Sequence, residues 1–335
     1  MLRFFTQYQE IYPQAWDALV ERSACATWFQ TRAAYDFYSR MPHEMQPFVF
    51  GAEENGKLVG IVTGYITQEC GAIRQFFTRR AIILGGVLLD EHISDEALSV
   101  LLSAIRNHLI HKTIYIELRN LHDYSRWKDV FAAQGFEYVP HLNFQVDCTD
   151  SAAVWGRIKS NRRRQIRKGL AHGAYIAEAQ SDSDVTAFYT ILRDLYWHKV
   201  KTPLPSIEFF LKLYHEQYAT FLLVKCQETV IGGIVCPVLQ GRALYEWYIC
   251  GLDKQYRQQY PSVLATYAAM EYAATHGIAS FDFMGAGTPD TPYGVRTFKS
   301  RFGGTEVENG RFLLVCKPLL YRIGQLAVHI LHTRD

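Results

Sequence analysis

The sequence predicts a mixed α/β (α+β) fold made of two tandem copies of one unit, and three observations predict it. At 335 residues the chain exceeds the usual size of one domain. The segment FVFGAEENGKLVGIVTGYI (48–66) reads as strand, turn and strand. TFLLVKCQETVIGGIVCPV (220–238) repeats that character at an offset of 172, with Val59-Gly60 answering to Ile231-Gly232. Both segments are then followed by the same elements in the same order. No single match carries the inference; the shared order does.

In the first copy Asn55-Gly56 marks a hairpin turn. AIILGGVLLD (81–90) follows as an apolar strand, and ALYEWYICGLD (243–253) is its counterpart. Ser94 then precedes apolar residues at 97/98, 101/102, 105 and 109, while Ser262 precedes a series at 263/264, 267/268 and 271/272. Both series have helical spacing. Strands TIYIEL (113–118) and ASFDFMG (279–285) come next. AAQGFEYVPHLNFQVD (132–147) and SRFGGTEVENGRFLLV (300–315) close the halves at an offset of 168, pairing Gly135 with Gly303 and Phe144 with Phe312. The expected domains are 1–147 and 148–317. The remaining segment, 318–335, has an apolar face at 319/320, 323, 326/327 and 330/331, suited to docking on the protein or to lying on a membrane.

Composition narrows the function classes. The chain is 49% hydrophobic and 14% aromatic, enough for real cores, and its net charge of +2 makes any electrostatic function a local matter. Seven scattered cysteines without ligand spacing suit free thiols in a reducing compartment. The first residues lack a secretion signal and no apolar run reaches membrane-spanning length, so a cytoplasmic protein without an integral membrane segment is expected.

The charge clusters at the start of the second copy. Seven basic residues fall between Arg157 and Lys168, and no acidic residue occurs from Ser151 to Ala177. Ile158, Arg162, Ile166 and Leu170 recur every four residues as an inward stripe, which leaves Arg157, Arg164, Arg167 and Lys168 facing elsewhere. Gly173 stops the helix. Taken alone, such a helix is a nucleic-acid grip, a phosphate clamp or a solvated face.

Four stretches carry a resemblance: ATWFQTRAAYDFY (26–38), SNRRRQIRKGLAHG (160–173), YICGLDKQYRQQYPSVLATYAAMEYAATHG (248–277) and DFMGAGTPDTPYGVRTFKSRFGG (282–304). With the order of elements, they make each half resemble a GNAT-type acyltransferase domain. The whole chain resembles the Fem-type aminoacyltransferases (FemX, FemA, FemB) and their FemAB/BioF2-like relatives. The resemblance implies transfer of an amino acid from aminoacyl-tRNA to a peptide-stem amine of a peptidoglycan precursor, nucleotide-linked (UDP-MurNAc-pentapeptide) or lipid-linked. It also implies a last helix packed on the first domain and, with a lipid-linked acceptor, peripheral contact with the membrane. Larger members carry a coiled-coil arm in the second domain. The stretch 180–220 is too short and irregular for one, so the compact form is expected.

The chemistry expected is acyl transfer without a cofactor. An acetyl-CoA-dependent enzyme of this fold cradles the pyrophosphate in a glycine-rich loop at a helix N-terminus. Here the loop reads Arg257-Gln258-Gln259-Tyr260-Pro261-Ser262, with tyrosine in place of a glycine and a proline that removes one donor. In the first half LLDEHISDEAL (88–98) offers four carboxylates and no glycine. Aminoacyl-tRNA is therefore the expected donor, with acetyl-CoA or another acyl-CoA as the alternative. A non-catalytic RNA-binding scaffold is a third reading.

Lys299, in TFKSRFGG, is the leading catalytic candidate, as a cation near the oxyanion or the tRNA terminus. Glu246 is a candidate general base and Asp282 a second carboxylate at the cleft. Arg163, Arg164, Arg167, Arg296 and Arg301 are candidate phosphate contacts. Lys199 and Lys201 suit a diphosphate clamp, Tyr256 and Tyr260 suit stacking, and Trp28, a candidate substrate contact, matches the family motif together with Gln30.

Overall fold

The structure, a computed structural model, describes residues 1–68 and 78–333. The expected Cys70 and the last two residues of 318–335 lie outside that range. The chain divides into two units, residues 1–141 with 308–335 and residues 142–307.

Numbered along the chain, unit 1 holds strands β1 (Leu2–Phe5), β2 (Met45–Glu54), β3 (Lys57–Thr67), β4 (Ala81–Gly85), β5 (Leu88–Leu89), β6 (Tyr115–Asn120), β7 (Glu137–Val139) and β16 (Arg311–Val315). Its sheet runs β1-β2-β3-β4-β6-β16-β7, with β5 also on β3. Unit 2 holds β8 (Leu142–Asp147), β9 (Ala174–Glu178), β10 (Ala219–Cys226), β11 (Thr229–Leu239), β12 (Ala243–Tyr245), β13 (Tyr248–Gly251), β14 (Ser280–Asp282) and β15 (Thr305–Glu308). Its sheet runs β9-β10-β11-β12-β14-β8-β15, with β13 on β11. The two orders agree strand for strand.

Local detail repeats as well. The β2–β3 ladder slips between Ala52 and Glu53, and the β10–β11 ladder slips between Val224 and Lys225, the same positions at the offset of 172. Asn55 and Gly56 both have positive φ, as a two-residue hairpin turn requires. Gly135 and Gly303 both lie in the left-handed region, at φ 85° and 83°.

The expected boundaries at 147/148 and 317/318 shift to 141/142 and 307/308. The cause is strand exchange. β8, which ends the first half in sequence, pairs with β14, and β16 pairs with β6 and β7. In unit 1 a buried ion cluster holds the incoming strand. Glu117 on β6 accepts from Arg119 Nε at 2.9 Å and from Arg311 Nη1 at 2.6 Å, and Arg311 Nη2 lies 3.0 Å from His141 Nε2. Phe312 stacks on Phe131 at 3.8 Å between ring centroids, beside Phe136 and Tyr124.

Each sheet packs on a helix that the sequence marks. Among the helices, α1 (Pro13–Arg22), α2 (Arg32–Ser39), α3 (Asp95–Leu109) and α4 (Lys128–Ala133) belong to unit 1. Ser94 caps α3 by accepting from Ala97 N, and Leu98, Leu101, Leu102 and Ile105 are fully buried. Unit 2 holds α5 (Ser151–Arg157), α6 (Ser160–Ala171), α7 (Asp182–Leu195), α8 (Ile207–His215), α9 (Pro261–Thr275) and α10 (Gly294–Lys299). The alanine-rich α9 is buried round most of its circumference, which its small side chains permit. The last helix, α11 (Pro318–Thr333), follows β16.

Two predictions follow from unit 1. Gly56→Ala places a Cβ in open space, whereas Gly86→Ala, also at φ +81°, meets the Tyr124 ring at 2.8 Å. Urea unfolding should show a loss of about 1–2 kcal/mol for the first and about 3 kcal/mol or more for the second, where overpacking adds to strain. Equal losses would contradict the packing. The second prediction concerns Glu117. Burial works against its charge, yet Arg119 and Arg311 hold its carboxyl at about 2, below the ordinary 4.5. Its contribution is therefore present above the ordinary carboxylate range and is lost as pH falls from about 4.5 towards 2. The stability gap between wild type and Glu117→Gln should close over that window; a gap that widens on acidification would refute the assignment.

Candidate active site

The sheet of unit 2 forks at Glu246. Up to Tyr245 the strand runs parallel to β14, and Glu246 N makes the next link, donating to Asp282 O at 2.9 Å. Beyond it β13 continues on β11 alone, so β12 and β13 are one strand bent away from its neighbour. The 243–253 stretch, read as a single strand, is thus broken at the candidate base.

Lys299 bridges the fork. It ends the short helix α10 and is not on a strand edge. Its Nζ lies 2.8 Å from Glu246 Oε1, 2.7 Å from Phe283 O and 2.9 Å from Gly285 O. An ammonium has three N–H bonds, and three acceptors take them. Lys299 and Glu246 are 8% and 6% exposed. Glu246 Oε2 is buried without a hydrogen-bond partner. Burial pushes the Glu246 carboxyl above its ordinary value; the Lys299 charge opposes this and the Asp282 charge adds to it.

Asp282 shapes the loop that Lys299 grips. It accepts from Asn143 Nδ2 at 2.9 Å, Gln145 Nε2 at 3.0 Å and Met284 N at 2.6 Å. Asn143 Oδ1 in turn accepts from Phe144 N and Gly285 N. Met284 and Gly285 both have positive φ, and this network holds them there. Arg296 acts on the same loop, donating to the carbonyls of Ala286, Thr288 and Pro289. Asn143 and Gln145 went unremarked in the sequence because they reach unit 2 only through the exchanged strand.

Unit 1 forks too, at Gly85-Gly86-Val87, where β4 stays beside β6 and β5 joins β3. Here the chain's own side chains occupy the fork. Gln30 Nε2 donates to Gly85 O at 3.1 Å and Gly86 O at 3.0 Å, and the Tyr124 hydroxyl lies 2.7 Å from Val87 O. Gln30 is fully buried, its side-chain oxygen accepting from Thr27 N. The ATWFQT motif therefore builds this plug. Trp28, expected to meet substrate, is buried against Phe29 and Phe37, because the turn that aims Gln30 inward buries Trp28 with it. The glycine pair inside an apolar strand was the available signal.

The helix N-termini that would face a pyrophosphate are closed by carboxylates. At α9 Asp253 accepts from Ser262 N at 3.2 Å and from the Ser262 hydroxyl, after Tyr260 at φ 51° and Pro261 at the first helical position. At α3 Glu54 accepts from Ser94 N at 3.1 Å and Ser94 Oγ at 2.5 Å, and Asp95 and Glu96 follow in the first turn. Each carboxylate takes donors that an incoming phosphate needs and repels it.

The basic helix is α6. Arg162 is buried, its guanidinium 4.4 Å from the Phe298 ring and 5.5 Å from Phe302, which ties α6 to the segment bearing Lys299. Burial and then the Arg301 charge push its pKa down. Ile166 is buried as expected, but Leu170 is 43% exposed. Gly169 takes the inward place instead, because a Cβ there would meet Gln259 O at 2.4 Å. Arg164, Arg167 and Lys168 are exposed and Arg163 half-buried; Arg167 lies over Trp155 at 5.2 Å. Tyr256 and Tyr260 are half-buried against the core of unit 2. Lys199 is exposed in the π-turn Tyr196–Val200, which Lys201 N closes onto Tyr196 O at 2.7 Å with Lys201 at φ 56°. Among the described residues no three His, Cys, Asp or Glu side chains converge to hold a metal.

The Lys299–Glu246 pair makes a sharp prediction. Lys299→Met leaves a buried carboxylate alone and Glu246→Leu leaves a buried ammonium alone, so each should cost about 3–5 kcal/mol in chemical denaturation. The Lys299→Met/Glu246→Leu double variant should lose clearly less than the sum of the two, because it removes both charges together, while Phe283 O and Gly285 O still lose their donor. Losses that simply add would show that the pair is not coupled.

Comparison with known proteins agrees with this architecture. Residues 156–299 match the family described as an acetyltransferase (GNAT) domain. Among curated proteins none matches this sequence. The fold resembles that of FemX, at 15% identity and a TM-score of 0.70, over 95% of this chain and 99% of that one. It also resembles the C-terminal domain of a putative lysylphosphatidylglycerol synthetase from Agrobacterium fabrum (13% identity, TM-score 0.58, 89% and 91% covered). A third likeness is a tandem GNAT protein from the clavulanic acid biosynthesis pathway (9% identity, TM-score 0.54, 94% and 99% covered). The chain has the tandem GNAT fold, with the two-unit architecture also found in FemX and with a GNAT acetyltransferase domain matched in unit 2.

Proposed function

We propose that the chain is an acyltransferase of the aminoacyl type, moving an amino acid from aminoacyl-tRNA to a peptide-stem amine of a peptidoglycan precursor. The observation that carries this reading is the closing of both helix N-termini by Asp253 and Glu54. A donor with a CoA pyrophosphate loses its usual seat, whereas a donor held through a polyphosphate backbone has the basic face of α6. The likeness to FemX supports the same class of reaction. The name of the lysylphosphatidylglycerol synthetase likewise describes an amino acid joined to an acceptor.

The fork of unit 2 is the proposed reaction site. The acceptor amine attacks the ester carbonyl carbon, a C–N bond forms, and the ester C–O bond breaks as the ribose hydroxyl leaves. Glu246 Oε2, buried and without a partner, takes the proton that the amine gives up and returns it to the leaving oxygen. Burial raises its pKa, which makes it a stronger base than a solvated carboxylate. Lys299 acts as a positioning residue, since its three donors are held by Glu246 and the 283–285 loop. The remaining barrier is met by orientation of donor and acceptor. The donor places the reaction in the cytoplasm, and a lipid-linked precursor would place it at the inner face of the membrane.

The match of residues 156–299 to an acetyltransferase domain favours a second reading, an acyl-CoA-dependent N-acyltransferase acting on a sugar or envelope precursor. One experiment separates the two. Purified protein, mixed charged tRNA and UDP-MurNAc-pentapeptide should give a stem peptide heavier by one aminoacyl residue, and ribonuclease should abolish the product. Tight acetyl-CoA binding with no response to the precursor would sink the first reading. Binding of tRNA without either transfer would leave a non-catalytic RNA-binding protein. A further outcome concerns α6: replacing Arg163 and Arg164 by Ala should lower the log–log salt slope of tRNA binding by about 1 each. An unaltered slope would assign those arginines to something other than phosphate.

A further inference from the structure

Helix α11 carries an apolar stripe turned to solvent. Leu319, Ile323 and Leu326 are 77%, 54% and 62% exposed, and their spacing sets them on one side of the helix. The same spacing recurs at Ile330 in the sequence. Tyr321, about 200° round the helix from Leu319, meets the Tyr115 ring of unit 1 at 5.3 Å. Unit 1 therefore holds the opposite side, and the docking expected for the apolar face is not made by these three residues.

The charge around the stripe is of one sign. No acidic residue occurs from Asn309 to Arg334, and the exposed Arg322 lies about 60° from the stripe, while Lys317, four residues before Tyr321, falls on the side held by unit 1. Among the described residues no helix is long and apolar enough to cross a membrane.

We propose that α11 lies flat on an anionic bilayer, with Leu319, Ile323 and Leu326 in the headgroup–acyl boundary and Arg322 against lipid phosphates. An apolar face bordered by an arginine, in a segment without acidic residues, is the arrangement such a surface selects. A second copy of the chain fits less well. Three side chains along about 10 Å of helix fall short of a stable interface, and a twofold contact would bring the like-charged flanks together. The proposal does not depend on which acyl donor unit 2 takes.

Co-sedimentation of the full chain with vesicles tests it. Wild type should bind vesicles of equal parts phosphatidylglycerol and phosphatidylcholine and bind pure phosphatidylcholine about tenfold less. The Leu319→Ser/Ile323→Ser/Leu326→Ser variant should keep the wild-type thermal unfolding, since the residues are exposed, and lose binding about tenfold or more. Arg322→Glu should lose about fivefold and bind with a shallower salt dependence. Absence of wild-type binding, or equal binding by the triple variant, would overturn the proposal. So would a wild-type dimer in sedimentation velocity that the triple variant converts to monomer, because the stripe would then belong to a second copy.

Discussion

The buried pair of Lys299 and Glu246 is the interaction on which the second unit's candidate site depends. A forked sheet exposes backbone groups where two strands part, and those groups need partners. In unit 2 one ammonium supplies them, gripping Phe283 O and Gly285 O while neutralising a carboxylate on the other prong. Taking both charges out of water is expensive, and a neutral amide donor holds the fork carbonyls of unit 1 without that cost. The pair therefore makes most sense where a carboxylate is wanted inside the fork, and Glu246 keeps one oxygen unpaired there.

Unit 1 meets the same constraint differently. Its fork is bridged by Gln30 and Tyr124, neutral groups whose hydrogen bonds end on Gly85, Gly86 and Val87. Two copies of one topology thus hold one fork with an ion pair and one with amide and phenol. The first leaves a carboxyl whose pKa burial raises, whereas in the second burial raises the Tyr124 phenol, which stays neutral. The copies agree again where each seals its helix N-terminus with a carboxylate on a serine, Glu54 on Ser94 and Asp253 on Ser262. A shared fold with divided chemistry is the result.

Much of this was legible in the sequence. The duplication, the Asn55-Gly56 turn and the Ser94 cap rest on local patterns, and local patterns survive folding; Glu246, Asp282 and Lys299, singled out in the sequence, lie together in the structure. What the sequence hid was non-local. Strand exchange moved both domain boundaries, because pairing partners are not written in a strand's own residues. Gln30, Asn143 and Gln145 act through contacts 55 to 142 residues away in sequence. Leu170 fits a four-residue stripe, yet the helix turned by one position because only glycine lets α6 approach Gln259. The three donors of Lys299 could not be counted from a motif, and because Glu246 and the 283–285 loop hold all three, the expected catalytic cation becomes a positioning residue in the proposed mechanism.

The measurement that tests the account most directly is the transfer rate of Glu246→Gln. Glutamine keeps an oxygen for the Lys299 ammonium and removes the base, so the variant should fold and hold its substrates at unchanged KM. The account predicts a kcat lower by about a hundredfold or more. Turnover equal to that of wild type would contradict it.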